Sequence, residues 1–75
     1  MIEDDIKKAV EDAGAELFDL DTTGDPNNIE LMDLDIDLTR KVAENLQAMG
    51  YVVDITARDQ LSVWDGKQQS NGAVT

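Results

Sequence analysis

The sequence predicts an α+β two-layer sandwich in the order α-β-β-α-β-β, with two helices on one face of a four-stranded, mainly antiparallel sheet. Two stretches have apolar residues at helical spacing, and each stretch ends at a glycine. After each glycine come two short segments of strand-like alternation, separated by turn-forming residues. The length of 75 residues allows one small domain, which we place at 1–65, and the polar residues 66–75 predict a flexible tail.

Both helices are predicted from an apolar stripe and a glycine stop. Residues 3–13 carry apolar side chains three and four positions apart, and Gly14 follows as a left-handed end. The second helix is expected to begin at Asp37 or Thr39, which can cap it, and to end at Gly50. Its apolar stripe is formed by Val42, Ala43, Leu46 and Met49.

The two halves of the chain repeat the same order of predicted elements. Gly14 and Gly50 are 36 residues apart, and each follows an amphipathic helix and precedes two strands. Each half alone is too small to bury its apolar residues, so the two units must pack together. This order suggests a helix-hairpin pseudo-repeat of 2–36 and 38–65.

Four segments are predicted to be strands. They are Leu17–Asp21, 29–38, 51–56 and Gln60–Trp64. The segment 29–38 shows the clearest period of two, with aliphatic residues on one face and aspartates on the other. A loop at 22–28 and a turn at 57–59 join the strands of each pair.

Strand parity predicts which residues lie on each face of the sheet, because alternate side chains point to opposite faces. The predicted core residues are Phe18, Leu20, Met32, Leu34, Ile36, Val53, Ile55, Leu61 and Val63. The opposite face would carry Leu17, Asp19, Asp21, Asp33, Asp35, Asp37, Val52, Asp54, Thr56, Ser62 and Trp64. Like charges on facing strand positions repel by up to about 1 kcal/mol per pair, and a cationic ligand would relieve this repulsion.

The amino-acid composition and the net charge argue against several classes of function. The chain has no Cys and no His, which excludes thiolate nucleophiles, zinc sites and imidazole bases, so we expect no enzymatic activity. Seventeen acidic residues against six basic ones give a net charge of −11, which disfavours direct binding to nucleic acid or to anionic membranes. The N-terminus lacks a basic start followed by a long apolar segment, so we expect a cytoplasmic protein.

The acidic face of the predicted sheet is the first candidate functional site. We expect it to bind a basic protein surface, including one that otherwise holds nucleic acid, through Asp19, Asp21, Asp33, Asp35, Asp37, Asp54 and Trp64. In size and charge the chain is similar to small acidic phage-type proteins that inhibit a partner by mimicking phosphates. The alternative is a plain acidic domain whose charges are only solvated and keep the sheet from pairing with other chains.

A calcium loop is the second candidate site. The spacing of Asp19, Asp21, Thr23, Asp25, Asn27 and Glu30, with Gly24 at the sixth position, resembles the twelve-residue loop of EF-hand proteins. The resemblance implies that these six residues supply calcium ligands, Asp25 through its carbonyl. Pro26 departs from the family, which has an aliphatic residue at that position, and the following segment alternates like a strand where the family has a helix.

Overall fold

The computed structural model describes residues 2–65 and contains two helices and four strands. The helices are α1 (Ile2–Asp12) and α2 (Ile36–Ala48), and the strands are β1 (Leu17–Asp21), β2 (Asn27–Leu31), β3 (Val52–Ala57) and β4 (Gln60–Trp64). All strand pairs are antiparallel, in the order β1-β2-β4-β3, with α2 packed on β3 and β4 and α1 beside α2. The predicted α+β fold and its element order are confirmed. The predicted tail, 66–75, lies outside the described residues.

Each helix ends in the same hydrogen-bonded turn around a glycine. The N–H of Gly14 donates to the carbonyl three residues earlier at 3.0 Å, and that of Ala15 to the carbonyl five residues earlier at 3.1 Å. Gly50 and Tyr51 repeat this pattern with the same distances. Both glycines have positive φ angles, +77° and +102°, which a residue with a Cβ adopts only with strain. The predicted glycine stops therefore fix the points at which the chain leaves each helix for the sheet.

The core lies between the two helices and the inner face of the sheet. The helices contribute Ile6, Ala9, Val10, Ala13, Val42, Ala43 and Leu46, and the two central strands contribute Ile29, Leu31, Leu61 and Val63. Leu20, Val53 and Ile55 are partly buried against this cluster, as their predicted inward orientation requires. Because the core has contributions from both halves, neither half buries its apolar side chains alone.

The prediction that 29–38 forms one strand is wrong beyond Leu31, where β2 ends. Ile29 and Leu31 are the inward residues, 1% and 2% exposed, whereas the predicted core residues Met32 and Leu34 are 53% and 70% exposed. Ile36, also predicted in the core of the sheet, is the first residue of α2. The predicted inward residues of this strand are therefore wrong: Ile29 and Leu31 face the core, and Met32 and Leu34 do not.

A helix cap explains why the strand ends early. The Asp35 carboxylate accepts hydrogen bonds from the N–H groups of Asp37 at 2.9 Å and Leu38 at 3.4 Å, so Asp35 is the N-cap of α2. The predicted caps, Asp37 and Thr39, are wrong because both lie inside the helix. Thr39 is fully buried, and its hydroxyl contacts the carbonyls of Asp35 and Arg58. One of the alternating aspartates, Asp35, is therefore a helix cap and not an outer residue of a strand.

A β-bulge reverses the predicted orientation of two residues in β1. Leu17 pairs with Leu31 and Asp19 pairs with Glu30, so Phe18 is an extra residue between them. Leu17, predicted to lie on the outer face, packs against the core, whereas Phe18, predicted in the core, is 63% exposed. The bulge allows both Leu17 and Leu20 to face inward, which strict alternation forbids.

The sheet order places the two helix-hairpin units symmetrically. The second strand of each unit lies in the centre, β2 beside β4, and the first strand of each lies at an edge. Ile29 faces Leu61 at the contact between the units. The pseudo-repeat of 2–36 and 38–65 stays a prediction, because similar elements that pack alike also give a symmetric sheet order.

Two side-chain hydrogen bonds join α1 to the second half of the chain. The Asn45 amide of α2 donates to the Ala9 carbonyl of α1 at 3.0 Å. The Tyr51 hydroxyl, at the start of the second hairpin, donates to the Asp5 carboxylate of α1. This hydrogen bond, together with partial burial and the nearby charges of Asp5 and Asp65, raises the pKa of Tyr51 from 10.0 to about 12.

The corrected strand parity predicts very different costs for two aliphatic truncations. Ile29→Ala should reduce the free energy of unfolding by about 2–5 kcal/mol, because it leaves a cavity at the centre of the core. Leu34→Ala, the matched change at an exposed position, should cost less than about 0.5 kcal/mol. Urea unfolding of both variants measures the difference. Equal costs would contradict the assignment of Ile29 to the inner face.

The Tyr51–Asp5 hydrogen bond predicts a specific pH dependence. Because the folded-state pKa lies above that of the unfolded chain, the phenol stabilises the fold fully below pH 10, and this contribution is lost as the pH rises toward 12. Spectrophotometric titration reports this group alone, since the chain has one Tyr. Asp5→Asn should lower the measured pKa toward 10, with circular dichroism showing that the chain stays folded. A folded wild-type protein that titrates near 10 would exclude the hydrogen bond.

Candidate partner-binding face

The sheet face opposite the helices is here called the open face. Strand register assigns it Asp19, Asp21, Asn28, Glu30, Val52, Asp54, Ala57, Gln60, Ser62 and Trp64, and the exposed residues at the two register shifts, Phe18 and Thr56, adjoin them. Four of these residues are carboxylates, and in the part of the chain that the structure describes, no strand contributes a Lys or Arg to this face. All the charged residues that the strands contribute to the open face are therefore acidic.

The structure separates the predicted partner-binding residues into two groups. Asp19, Asp21, Asp54 and Trp64 lie on the open face, as predicted. Asp33, Asp35 and Asp37 do not, because they occupy the connection from β2 to α2 and the first turn of that helix. The predicted row of three aspartates along one strand is therefore not formed.

Glu30 is a member of the open face that sequence reasoning missed. It lies on the central strand β2, directly opposite Asp19 of β1 on one side and Gln60 of β4 on the other. The signal was present in the sequence, because Ile29 and Leu31 flank Glu30 with the same alternation that was assigned to the residues after them. Whether Ile29 and Leu31 or Met32 and Leu34 face inward depends on where the strand ends, and the sequence does not give that position.

A concavity of about 180 Å³ lies on the open face, and we call it the acidic concavity. Its rim includes the carboxylates of Asp19 and Glu30 and the polar side chains of Asn28, Thr56 and Gln60, and the strand residues Ile29 and Leu61 also line it. Facing residues on adjacent antiparallel strands have their Cβ atoms about 4.5–5.5 Å apart, so the two carboxylates are close neighbours. Two anionic groups beside hydrogen-bonding side chains form a surface that suits a guanidinium or ammonium group.

Hydrogen bonds fix the orientation of polar side chains on the open face at Asp21 and at Asn28. The Thr23 hydroxyl and the Thr23 N–H both donate to the Asp21 carboxylate, the N–H at 2.9 Å. These two hydrogen bonds lower the pKa of Asp21 and keep it ionised. In the centre of the sheet, the Ser62 hydroxyl donates to the Asn28 side-chain oxygen at 3.1 Å.

Three basic residues in the described part of the chain form ion pairs, and each pair lies within one helix. The pairs are Lys7–Glu3 at 3.1 Å and Lys8–Asp12 at 3.7 Å in α1, and Arg40–Asp37 at 3.8 Å in α2. The other two described cations are Lys41 of α2 and Arg58 of the turn between β3 and β4. The three ion-paired cations therefore do not balance the charge of the open face.

Trp64 occupies the last position of β4. Its partner on the edge strand is Val52, and the register places both on the open face. The residue is partly buried, so part of its surface is accessible. The predicted cation–π contact between Trp64 and a basic partner stays a prediction.

The segment that resembles an EF-hand loop forms a β-hairpin. Strands β1 and β2 stand where the family has its incoming and outgoing helices. Asn27 is buried, and its amide donates to the Val63 carbonyl at 3.2 Å, so it would have to leave this contact to become a ligand. Within residues 2–65, no three or more Asp or Glu residues are grouped so that they could hold a metal ion. Calcium binding by Asp19, Asp21, Thr23, Asp25, Asn27 and Glu30 stays a prediction.

Comparison with known proteins gives no family. No protein-family model, curated protein or solved structure matches this chain. Neither helix in the described residues is long and apolar enough to cross a membrane. The chemistry of the open face is therefore the basis for a functional proposal.

The facing carboxylates predict that charge removal stabilises the protein. Asp19→Asn and Glu30→Gln should each raise the free energy of unfolding by about 0.2–1 kcal/mol, because each removes a like-charge contact across the strands. The double variant should gain less than the sum of the single changes, since one substitution already relieves the pair.

Urea unfolding at low salt measures these free energies. Asp25→Asn is the matched control, because it removes the same charge from the exposed hairpin loop outside the strand ladder. Strictly additive effects of Asp19→Asn and Glu30→Gln would show that the two carboxylates do not interact.

Proposed function

We propose that this protein is a non-enzymatic interaction protein that binds a basic surface of a partner protein through its open face, and that it inhibits or modulates that partner. The observation that supports the proposal is the sign of the charges on this face. Asp19 and Asp21 of β1, Glu30 of β2 and Asp54 of β3 lie on its outer side, and no strand among the described residues contributes a cation. Maintaining facing carboxylates lowers stability, so a use outside the folded chain is the simplest reason for them.

The physical basis of binding would be electrostatic complementarity. Carboxylates held on a sheet are fixed in position relative to one another, so their fields add over a basic groove and accelerate encounter with it. A protein groove that binds nucleic acid presents Lys and Arg to phosphates, and it would accept an anionic face of similar extent. Occupation of such a groove would compete with nucleic acid, which is the mode of inhibition that we propose.

A plain solvated face is the competing explanation. Charged residues also prevent edge-to-edge pairing of sheets, and net charge keeps small proteins soluble. Solubility requires only the net charge, and protection of the edges requires charge on the edge strands β1 and β3, where Asp19, Asp21 and Asp54 lie. Neither requires a carboxylate at Glu30 on the central strand β2. The two explanations therefore differ in whether moving the charge away from the open face has a consequence for binding.

Capture from a cell lysate at low salt tests the proposal. The wild-type protein should retain a basic protein, and retention should fall as salt is added. Asp19→Asn, Glu30→Gln and Asp54→Asn together should abolish retention. The matched control replaces three exposed helix residues, Asp4→Asn, Glu11→Gln and Glu44→Gln, and thus removes the same charge from elsewhere.

The two triple variants distinguish position from total charge. If the helix variant retains the basic protein and the open-face variant does not, the open face is the binding surface. Equal retention by both variants, or equal loss in both, would contradict a specific role for the open face. Unfolding measurements on both triple variants show that each is folded under the conditions of capture.

A further inference from the structure

Large apolar side chains are exposed at one end of the open face and in the connection from β2 to α2 that adjoins it. Phe18, Met32 and Leu34 are among the five most exposed large hydrophobic residues in the described chain, together with Met49 and Val52. Single exposed apolar residues are ordinary, but several in one place mark an interaction surface. We call Phe18, Met32 and Leu34 the apolar corner.

Strand register brings the apolar corner together. The Met32 N–H donates to the Glu16 carbonyl at 2.9 Å, so the ladder of β1 and β2 continues one position past the Leu17–Leu31 pair. Phe18 and Met32 are therefore diagonal neighbours on the outer side, at a spacing of about 7–8 Å that an aromatic side chain can span. Leu34 follows Met32 by two residues, which limits the separation of their Cα atoms to about 7 Å.

The bulge in β1 is the device that places Phe18 in this position. Because Phe18 is the extra residue between two ladder pairs, both Phe18 and Asp19 face outward in succession. Bulges commonly re-aim a side chain beside a functional site. The same bulge thus places the exposed Phe18 directly before Asp19, which lines the acidic concavity.

The surroundings of the apolar corner are acidic. Asp19 and Glu30 of the acidic concavity adjoin it along the strands, and Glu16 and Asp33 adjoin its members in sequence. This distribution suits a partner that combines apolar and cationic side chains. A second copy of the chain fits poorly, because the net charge of −11 makes two copies repel each other.

We propose that the partner presents a segment in which Arg or Lys adjoins a bulky apolar residue. The cationic group lies between Asp19 and Glu30 in the acidic concavity, and the apolar side chain packs on Phe18, Met32 and Leu34. This inference rests on the proposed function, and it adds an apolar anchor to an otherwise electrostatic contact. Apolar anchors surrounded by polar groups supply most of the free energy at protein interfaces.

Two synthetic peptides test the apolar anchor on the full chain. In one peptide Arg alternates with Leu, and in the other Arg alternates with Ser at the same length and charge. Calorimetric titration should show that the Leu peptide binds the wild-type protein about tenfold more tightly than the Ser peptide, the factor expected for one good apolar anchor. Phe18→Ser with Met32→Ser should remove most of this preference.

A matched control variant isolates the apolar corner. Met49→Ser removes an exposed methionine from the C-cap of α2, and it should leave the preference for the Leu peptide unchanged, whereas Met32→Ser, the same change in the apolar corner, should reduce it. If both single variants lose the preference equally, or if neither does, the apolar corner is not the anchor. Circular dichroism of both single variants shows that their folds are intact.

The same titrations separate failure of this inference from failure of the proposed function. If Asp19→Asn with Glu30→Gln weakens both peptides while the Leu and Ser peptides bind the wild type equally, the acidic face binds cations and the apolar anchor is overturned. If neither peptide depends on Asp19 and Glu30, the electrostatic contact itself is contradicted. Sedimentation of the wild-type protein alone as a dimer that Phe18→Ser with Met32→Ser dissolves would assign the apolar corner to a second copy and overturn the inference.

Discussion

The packing of two amphipathic helices on one side of a four-stranded sheet is the constraint from which the other features follow. A chain of 75 residues can bury only one layer of apolar side chains between helices and sheet. Ile29 and Leu61 face each other at the centre of that layer, where the two halves of the chain meet. Because alternate residues of a strand face opposite ways, burial of this pair directs Glu30 and its neighbours to the uncovered side.

The distribution of charge follows from the same constraint but opposes it energetically. Three helix carboxylates, Glu3, Asp12 and Asp37, have basic partners three or four residues away, whereas Asp19 and Glu30 face each other across two strands. The ion pairs offset part of the charge on the helices, and the facing carboxylates carry an electrostatic cost on the sheet. Repulsion between Asp19 and Glu30 lowers stability on an accessible surface, and for this reason we assign a binding function to that surface.

The bulge at Phe18 shows how a local irregularity can serve both packing and surface chemistry. Inward packing of Leu17 and Leu20 requires an extra residue between them, and that residue has to face outward. An aromatic side chain at this position gains nothing from the core of the protein. Its exposure beside the carboxylate of Asp19 gives the open face an apolar element that net charge alone would not suggest.

The sequence by itself determined the element order, the C-terminal end of each helix and the fold class, because these depend on local signals. Helical periodicity and the glycines at 14 and 50 are read within one turn of the chain, and the structure agrees with them. The second hairpin was also assigned correctly, since the inward pair Leu61 and Val63 allows one parity.

Only the tertiary structure decided where β2 ends and which of its residues face inward. Apolar and acidic residues alternate from Ile29 to Leu31 and again, shifted by one position, from Met32 to Leu38. The aspartates of the second stretch suit the outer face of a strand and also the cap of a helix. The competition is resolved by contacts distant in sequence, namely the pairing of β2 with β4 and the burial of Thr39 beside the turn at Arg58. For that reason Asp33, Asp35 and Asp37 do not lie on the predicted acidic face. Glu30 lies on the open face, and the apolar corner adjoins it, although neither was predicted.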